Sequence, residues 1–124
     1  MRGLKNVELH QGWFNETVGK FLREQPRNKP VAFCHLDADI YSSTLTVLEE
    51  VFSRCAHRVG TVLAFDELFG SLAQEEHELR ALEESSQRYG VTWRFVTYAL
   101  TLASPFARAG VQVVDVGRRC RPHQ

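Results

Sequence analysis

The sequence lacks a net charge, a long apolar run and a leader-like start, and each absence removes a class of protein. Its 124 residues carry 15 Lys and Arg against 15 Asp and Glu. A nucleic-acid binder needs a basic excess to neutralise phosphates, so the charge balance argues against that class. No run approaches the roughly 18 apolar residues of a membrane span, and the start has no apolar signal-peptide segment. With 44% hydrophobic residues, the chain fits one globular domain.

Cysteine is also scarce, and its spacing is uninformative. The three cysteines are Cys34, Cys55 and Cys120. An odd number without a C-x-x-C pair or a Cys/His ligand spacing predicts neither a zinc site nor a disulfide framework. We therefore expect reduced thiols and a cytoplasmic location.

Short apolar segments alternate with amphipathic ones along the chain. Period-two or continuous apolar patterns predict strands at 6–11, 31–36, 61–65, 91–102 and 111–116. Helical spacing predicts helices at 16–24, at 74–89 and from a cap at Ser42, Ser43 or Thr44 through Cys55. The alternation favours an α/β sandwich with a mostly parallel sheet and an antiparallel C-terminal edge hairpin. The most apolar strands, 31–36 and 61–65, are expected to be covered on both faces.

Acidic residues follow two of these strands. Asp37 comes after the first, and Asp66 and Glu67 come after the second. Ligands of open parallel sheets bind beyond the carboxyl ends of the strands, so neighbouring strands would bring these acids together. Clustered carboxylates repel one another unless a cation lies between them, and oxygen ligands suit Mg²⁺ or Ca²⁺. The alternative is that the acids only stabilise the N-termini of the following helices.

Several stretches resemble the macrocin O-methyltransferase family. They are GWFNETVGKFL, VAFCHLDADIYSST, GTVLAFDELFG and QEEHELRAL, of which LDADIYSST and FDE are the most specific. The resemblance covers roughly residues 7–116. It implies a Rossmann-like, class I fold that uses S-adenosylmethionine and Mg²⁺ or a similar divalent cation. The implied reaction is methylation of a hydroxyl on a sugar or another small molecule.

The resemblance also implies roles for individual residues. Asp37, Asp66 and Glu67 match metal ligands, and Asp39 matches a general base or an outer group beside Asp37. The implied mechanism is that the metal lowers the pKa of the substrate hydroxyl, whose oxyanion attacks the methyl group in line.

Other residues carry weaker expectations from the same resemblance. Gly12, Trp13 and Phe14 fall where such enzymes contact the adenine of the cofactor, although aromatic residues beside a sheet more often belong to the core. Tyr41 and His77 are candidates for the substrate pocket. Packing for Tyr41 and a solvated helix face for His77 are the alternatives.

The resemblance begins only at the third strand of a fold whose strand order is 3-2-1-4-5-7-6. The Gly-rich turn and the first two strands have no counterpart, so we expect a truncated domain over 1–117 and a flexible basic tail over 118–124. We expect this chain alone to be inactive, and a non-catalytic remnant or a dimerising α/β domain is the alternative. Strand 31–36 would lose its neighbour; we expect Val7–Gln11 to pair with it, or else a partner chain to cover it.

Overall fold

A computed structural model describes residues 5–38, 40–69, 77–100 and 107–121, without the side chains of 67–69, 77, 98–100 and 107. The helices are α1 (Phe14–Glu24), α2 (Tyr41–Ser53) and α3 (His77–Tyr89). The strands are β1 (Phe33–Leu36), β2 (Val62–Phe69), β3 (Thr92–Leu100) and β4 (Ala107–Asp115). The α/β class is confirmed, and one short 3₁₀ helix, Arg118–Cys120, follows β4. None of the helices in these described ranges has the length and apolar character needed to cross a membrane.

The four strands form one mixed sheet in the order β1-β2-β4-β3. β1 and β2 are parallel, whereas β4 is antiparallel to both of its neighbours. The expected antiparallel hairpin is therefore present, with β3 at the sheet edge and β4 inside. The expectation of a mostly parallel sheet is wrong, because two of the three described strand pairs are antiparallel. Both of these pairs involve β4, which lies between β2 and β3.

The core lies on one face of the sheet. Leu36, Leu63 and Val111 are buried there against residues of α2 and α3 such as Leu48 and Leu82. The opposite face carries no helix among the described residues, and Phe33 on it is 61% exposed. Covering on both faces was thus the wrong expectation, because all three helices lie on or beyond the same side.

The expected first strand does not form. Residues 7–11 are irregular, and Leu9 is 75% exposed. His10 packs edge-on against Phe21 of α1, with 4.9 Å between ring centroids, so this segment follows α1. The expected pairing of Val7–Gln11 with Val31–Leu36 is therefore wrong, and among the described strands β1 pairs with β2 alone.

Helix α2 begins and ends differently from expectation. It starts after Ile40 without a side-chain cap, so the proposed Ser or Thr caps lie inside the helix. At its end, Cys55 adopts a left-handed φ of 54°. The amides of Cys55 and Ala56 donate to the carbonyls of Phe52 and Val51, which is the Schellman pattern normally built on glycine.

The end of the described chain is tied to α2. Cys55 and Cys120 form a disulfide with 5.3 Å between their Cα atoms. The expectation of reduced thiols is wrong for these two residues; only Cys34 is free among the described cysteines. Residues 118–121, expected in a flexible tail, form the 3₁₀ helix and an Arg121–Asp115 ion pair, while 122–124 lie outside the described residues.

Disulfides persist mainly in oxidising compartments. The cytoplasmic location stays a prediction, and this bond is an observation against it.

Candidate functional site at the carboxyl end of the parallel strands

Two of the expected acids meet where β1 ends. Leu36 pairs with Phe65 in the parallel register, so Asp37 and Asp66 follow at the same level of the sheet. Asp37 lies close enough to Asp66 to influence its pKa. β1 stops at Leu36, but β2 continues to Phe69, so Asp66 and Glu67 lie within the strand and not after it.

A histidine joins this pair. His35 Nε2 donates to Asp66 Oδ1 over 2.8 Å, and both side chains remain partly exposed. The pKa of Asp66 is held below its ordinary range, chiefly by this hydrogen bond from His35, and the neighbouring Asp37 adds a smaller lowering. We call His35, Asp37 and Asp66 the acid cluster. It keeps Asp66 ionised and accessible to a cation.

The other expected ligands are not placed. The Glu67 side chain and the whole of Asp39 lie outside the described residues. Within the described residues, no group of three or more His, Cys, Asp or Glu side chains is arranged to hold a metal ion. The donor chemistry of Asp37 and Asp66 nevertheless fits a hard divalent cation, which prefers carboxylate oxygens and tolerates several water ligands.

The residues expected to contact the cofactor lie at the same end of the domain. Gly12, at φ 140°, leads into Trp13, whose carbonyl accepts the first backbone hydrogen bonds of α1. Trp13 is 78% exposed, so the core alternative does not hold for it. Trp13 and Phe14 face Ser42 and its neighbours across a hollow of about 450 Å³ between the starts of α1 and α2. This open hollow offers an aromatic surface for stacking.

Tyr41 makes contacts between the helices. Its hydroxyl donates to Glu84 of α3, and the guanidinium of Arg80 lies 4.8 Å from its ring centroid. The hydrogen bond to Glu84 raises the pKa of Tyr41 and lowers that of Glu84. These contacts match the packing alternative. The side chain of His77, the first residue of α3, lies outside the described residues.

Sequence reasoning gave little weight to two polar residues at this end. His35 looked like an ordinary strand residue, yet strand alternation with Phe33 places it on the open face beside Asp66. Glu78, in the first turn of α3, is only 1% exposed. A charged side chain in a polar stretch (QEEHELR) gave no sign of burial, because the pattern fits a solvated face equally well.

The comparisons with known proteins add no family assignment. No protein-family model matches the sequence, and no match was found to a curated protein or to a solved structure.

Proposed function

We propose that the chain is a divalent-cation-binding, O-methyltransferase-like domain that corresponds to the C-terminal half of the class I methyltransferase fold. The substrate class would be a hydroxyl of a sugar or another small molecule. The proposal depends above all on the order β1-β2-β4-β3 with an antiparallel β4. This order reproduces the last four positions of 3-2-1-4-5-7-6. Asp37 directly follows the strand that corresponds to four, and Asp66 lies at the same level within the strand that corresponds to five.

The chemistry of the acid cluster supports the same proposal. When bound, a divalent cation would lower the pKa of a substrate hydroxyl that coordinates it. Asp37 and Asp66 would hold the cation, and His35 would keep Asp66 ionised and oriented through its hydrogen bond. The exposed positions of His35 and Asp37 leave room for a substrate at this edge.

The cofactor part of the proposal is limited by what the chain presents. Trp13 and Phe14 offer a stacking surface for an adenine ring, but no Gly-rich turn holds the methionine end. We therefore expect the chain alone to bind S-adenosylmethionine weakly or not at all. Micromolar affinity in calorimetry would contradict this limit and show that other residues complete the pocket.

The experiment that tests the metal site is Mn²⁺-induced broadening of backbone amide signals. The expected result is local broadening around Asp37 and Asp66, and its loss in Asp66→Asn. Asp115→Asn is a matched control, since Asp115 is also an aspartate at a strand end but lies at the other end of the sheet. Equal broadening in wild type and Asp66→Asn would reject the metal site.

An interaction domain is the second candidate, and the uncovered edge of β1 favours it. Within the part of the chain that the structure describes, β1 pairs on one side only, and its Phe33 is exposed on the open sheet face. Exposed apolar edges are templates for pairing with another chain. Sedimentation equilibrium of wild type and Phe33→Lys distinguishes the candidates: a dimer that the substitution dissociates favours the interaction domain, and a monomer at all concentrations rejects it.

A further inference from the structure

A second site lies at the opposite end of the sheet from the acid cluster. A cleft of about 870 Å³ opens where α1 and α2 end and where β1 and β2 begin. Its walls come from the loop after α1, the loop after α2 and the 3₁₀ helix after β4. This volume falls in the range of roughly 300–1,000 Å³ that is usual for small-molecule pockets.

Seven of the described residues that line the cleft are basic, and none of the described lining residues carries a carboxylate. Arg54 and Arg121 form ion pairs with Glu50 and Asp115, which lie outside its lining. Five further cations line it, and no described carboxylate lies within 4.0 Å of any of them: Arg23, Arg27, Lys29, Arg58 and Arg119.

A structural explanation accounts for only part of this charge. The C-terminal ends of α1 and α2 point toward the cleft, and cations near helix C-termini are favourable. Each helix end is equivalent to roughly half a negative charge, so the two together offset about one of the five cations. Roughly four positive charges therefore remain without a counterpart. The cleft therefore carries an excess of positive charge, although the whole chain has no net charge.

The cleft is also held in a fixed shape. The Arg58 guanidinium donates to the carbonyls of Cys55 and His57 at 2.9 Å and to that of Arg27 at 3.2 Å. These bonds join the loop after α1 to the loop after α2. On the other wall, the Cys55–Cys120 disulfide holds the 3₁₀ helix, and with it Arg119, beside the end of α2. The Arg58 guanidinium is therefore held in place, and a fixed cation loses less conformational entropy when a ligand binds.

We propose that this basic cleft binds a small molecule that carries two or more linked phosphates. Guanidinium groups form charge-assisted hydrogen bonds to phosphate oxygens, and linked phosphates present more oxygens than a single phosphate for cations on both walls. The partly buried Phe21 and Leu22 supply apolar surface in the same lining, as a phosphate-bearing organic ligand requires. The acid cluster at the other end disfavours an extended polyanion that would follow the surface past the cleft.

Calorimetric titration of the oxidised full chain with sodium tripolyphosphate, without divalent cations, tests the proposal. The test variant, Arg23→Gln/Arg27→Gln/Lys29→Gln, removes three cleft charges whose side chains form no ion pair or hydrogen bond with other described residues. The matched control removes three charges elsewhere, in Lys5→Gln/Lys20→Gln/Arg94→Gln. Thermal melts establish that both variants fold.

We expect the cleft variant to bind tripolyphosphate about tenfold or more weakly, because charge-assisted hydrogen bonds are lost, and the control to change by less than about twofold. Orthophosphate should bind the wild type about tenfold or more weakly than tripolyphosphate, since it reaches fewer cations. Three results would each overturn the proposal. They are an equal loss of affinity in the two variants, an equal affinity of the wild type for both anions, and binding of a single-stranded RNA more tightly than tripolyphosphate.

The disulfide allows a second, independent test of the binding site. Reduction, or Cys55→Ser/Cys120→Ser, releases the wall that carries Arg119 and should weaken tripolyphosphate binding severalfold. An affinity unchanged by reduction would mean that Arg119 and its 3₁₀ helix are not part of the site. The charge variants keep the test decisive even where reduction destabilises the fold.

Discussion

The two ends of the sheet carry opposite charge and are held by different interactions. At the carboxyl end of β1 and β2, a hydrogen bond joins His35 to Asp66, Asp37 lies beside them, and all three side chains remain at least partly exposed. At the other end, the basic cleft is braced by arginine–carbonyl hydrogen bonds and by a disulfide. The zero net charge of the whole chain is therefore compatible with local regions of opposite charge.

This contrast limits what whole-chain charge can exclude. Composition argued against nucleic acid, and that argument stands for an extended basic face. It does not apply to a small anionic ligand, whose binding depends on local charge within a Debye length of about 10 Å at 0.1 M salt. The two ends also lie at opposite termini of α2, so one helix separates them.

The largest difference between the ends should appear on reduction. The Cys55–Cys120 disulfide closes a segment of 65 residues. Loss of that closure should lower the free energy of unfolding by about 4 kcal/mol in the chain-entropy description. Urea unfolding with and without reductant measures it, and the effect should persist in Cys34→Ala but vanish in Cys55→Ser/Cys120→Ser. An unchanged urea midpoint on reduction would show that the two cysteines are not bonded in solution.

The next difference concerns cations at the acid cluster. If Mg²⁺ binds only the folded state, a concentration about ten times its Kd should raise the free energy of unfolding by roughly 1.4 kcal/mol. Asp66→Asn should remove this increment, and Asp115→Asn at the opposite end should keep it, because Asp115 already bonds the Gly117 amide and Arg121. The measurement is a melting curve with and without Mg²⁺. An increment that survives in Asp66→Asn would indicate a general ion effect.

Acid should destabilise the two ends in separate pH windows. His57, beside the basic cleft, is fully buried, and burial lowers its pKa in the folded state. The unfolded chain then binds the extra proton more readily, so stability falls as pH drops below about 6.5. The lowered pKa of Asp66 contributes stability above its ordinary pKa, about 3.9, which is lost only at lower pH.

Urea midpoints measured between pH 7 and pH 3 test these windows. His57→Gln should remove the loss of stability that begins below about pH 6.5. Asp66→Asn should remove part of the loss that begins below about pH 3.9. The exposed His10 supplies the control, and His10→Gln should leave both declines in place. A single decline below pH 4 in the wild type would contradict the assignment to His57.

The local sequence pattern predicted where helices and strands lie better than it predicted which of them pair or pack together. The apolar spacing of Leu48, Val51 and Phe52 placed the inner face of α2, and Gly90 at φ 68° ended α3 as expected. The strand at 6–11 failed because alternation in a short polar segment does not say whether a neighbouring edge is near enough to pair. Its segment lies along α1 instead, through His10 and Phe21.

The same distinction between local pattern and long-range contact applies to the candidate sites. The proximity of Asp37 and Asp66 was predictable because each directly follows an apolar run, and the parallel register pairs the last residues of those runs, Leu36 and Phe65. The disulfide was not, since Cys55 and Cys120 are 65 residues apart and meet only when β4 returns beside β2. The basic cleft was hidden for the same reason, because its cations come from three segments that are far apart in the sequence, 23–29, 54–58 and 119–121.

The smallest effect should come from salt, and it tests whether the basic cleft repels itself when empty. Screening by about 0.15 M NaCl should raise the free energy of unfolding by a few tenths of a kcal/mol, because uncompensated like charges destabilise the folded state. Arg27→Gln/Lys29→Gln should abolish most of that increase, since it removes two of the five cations without carboxylate partners. Sodium chloride suits the measurement because chloride lacks the oxygens that would engage several cations at once. Lys5→Gln/Lys20→Gln, with the same change in net charge, should retain the increase. If both double variants lose it equally, the repulsion is spread over the whole surface, and the contrast between the two ends of the sheet has no energetic consequence in the unliganded protein.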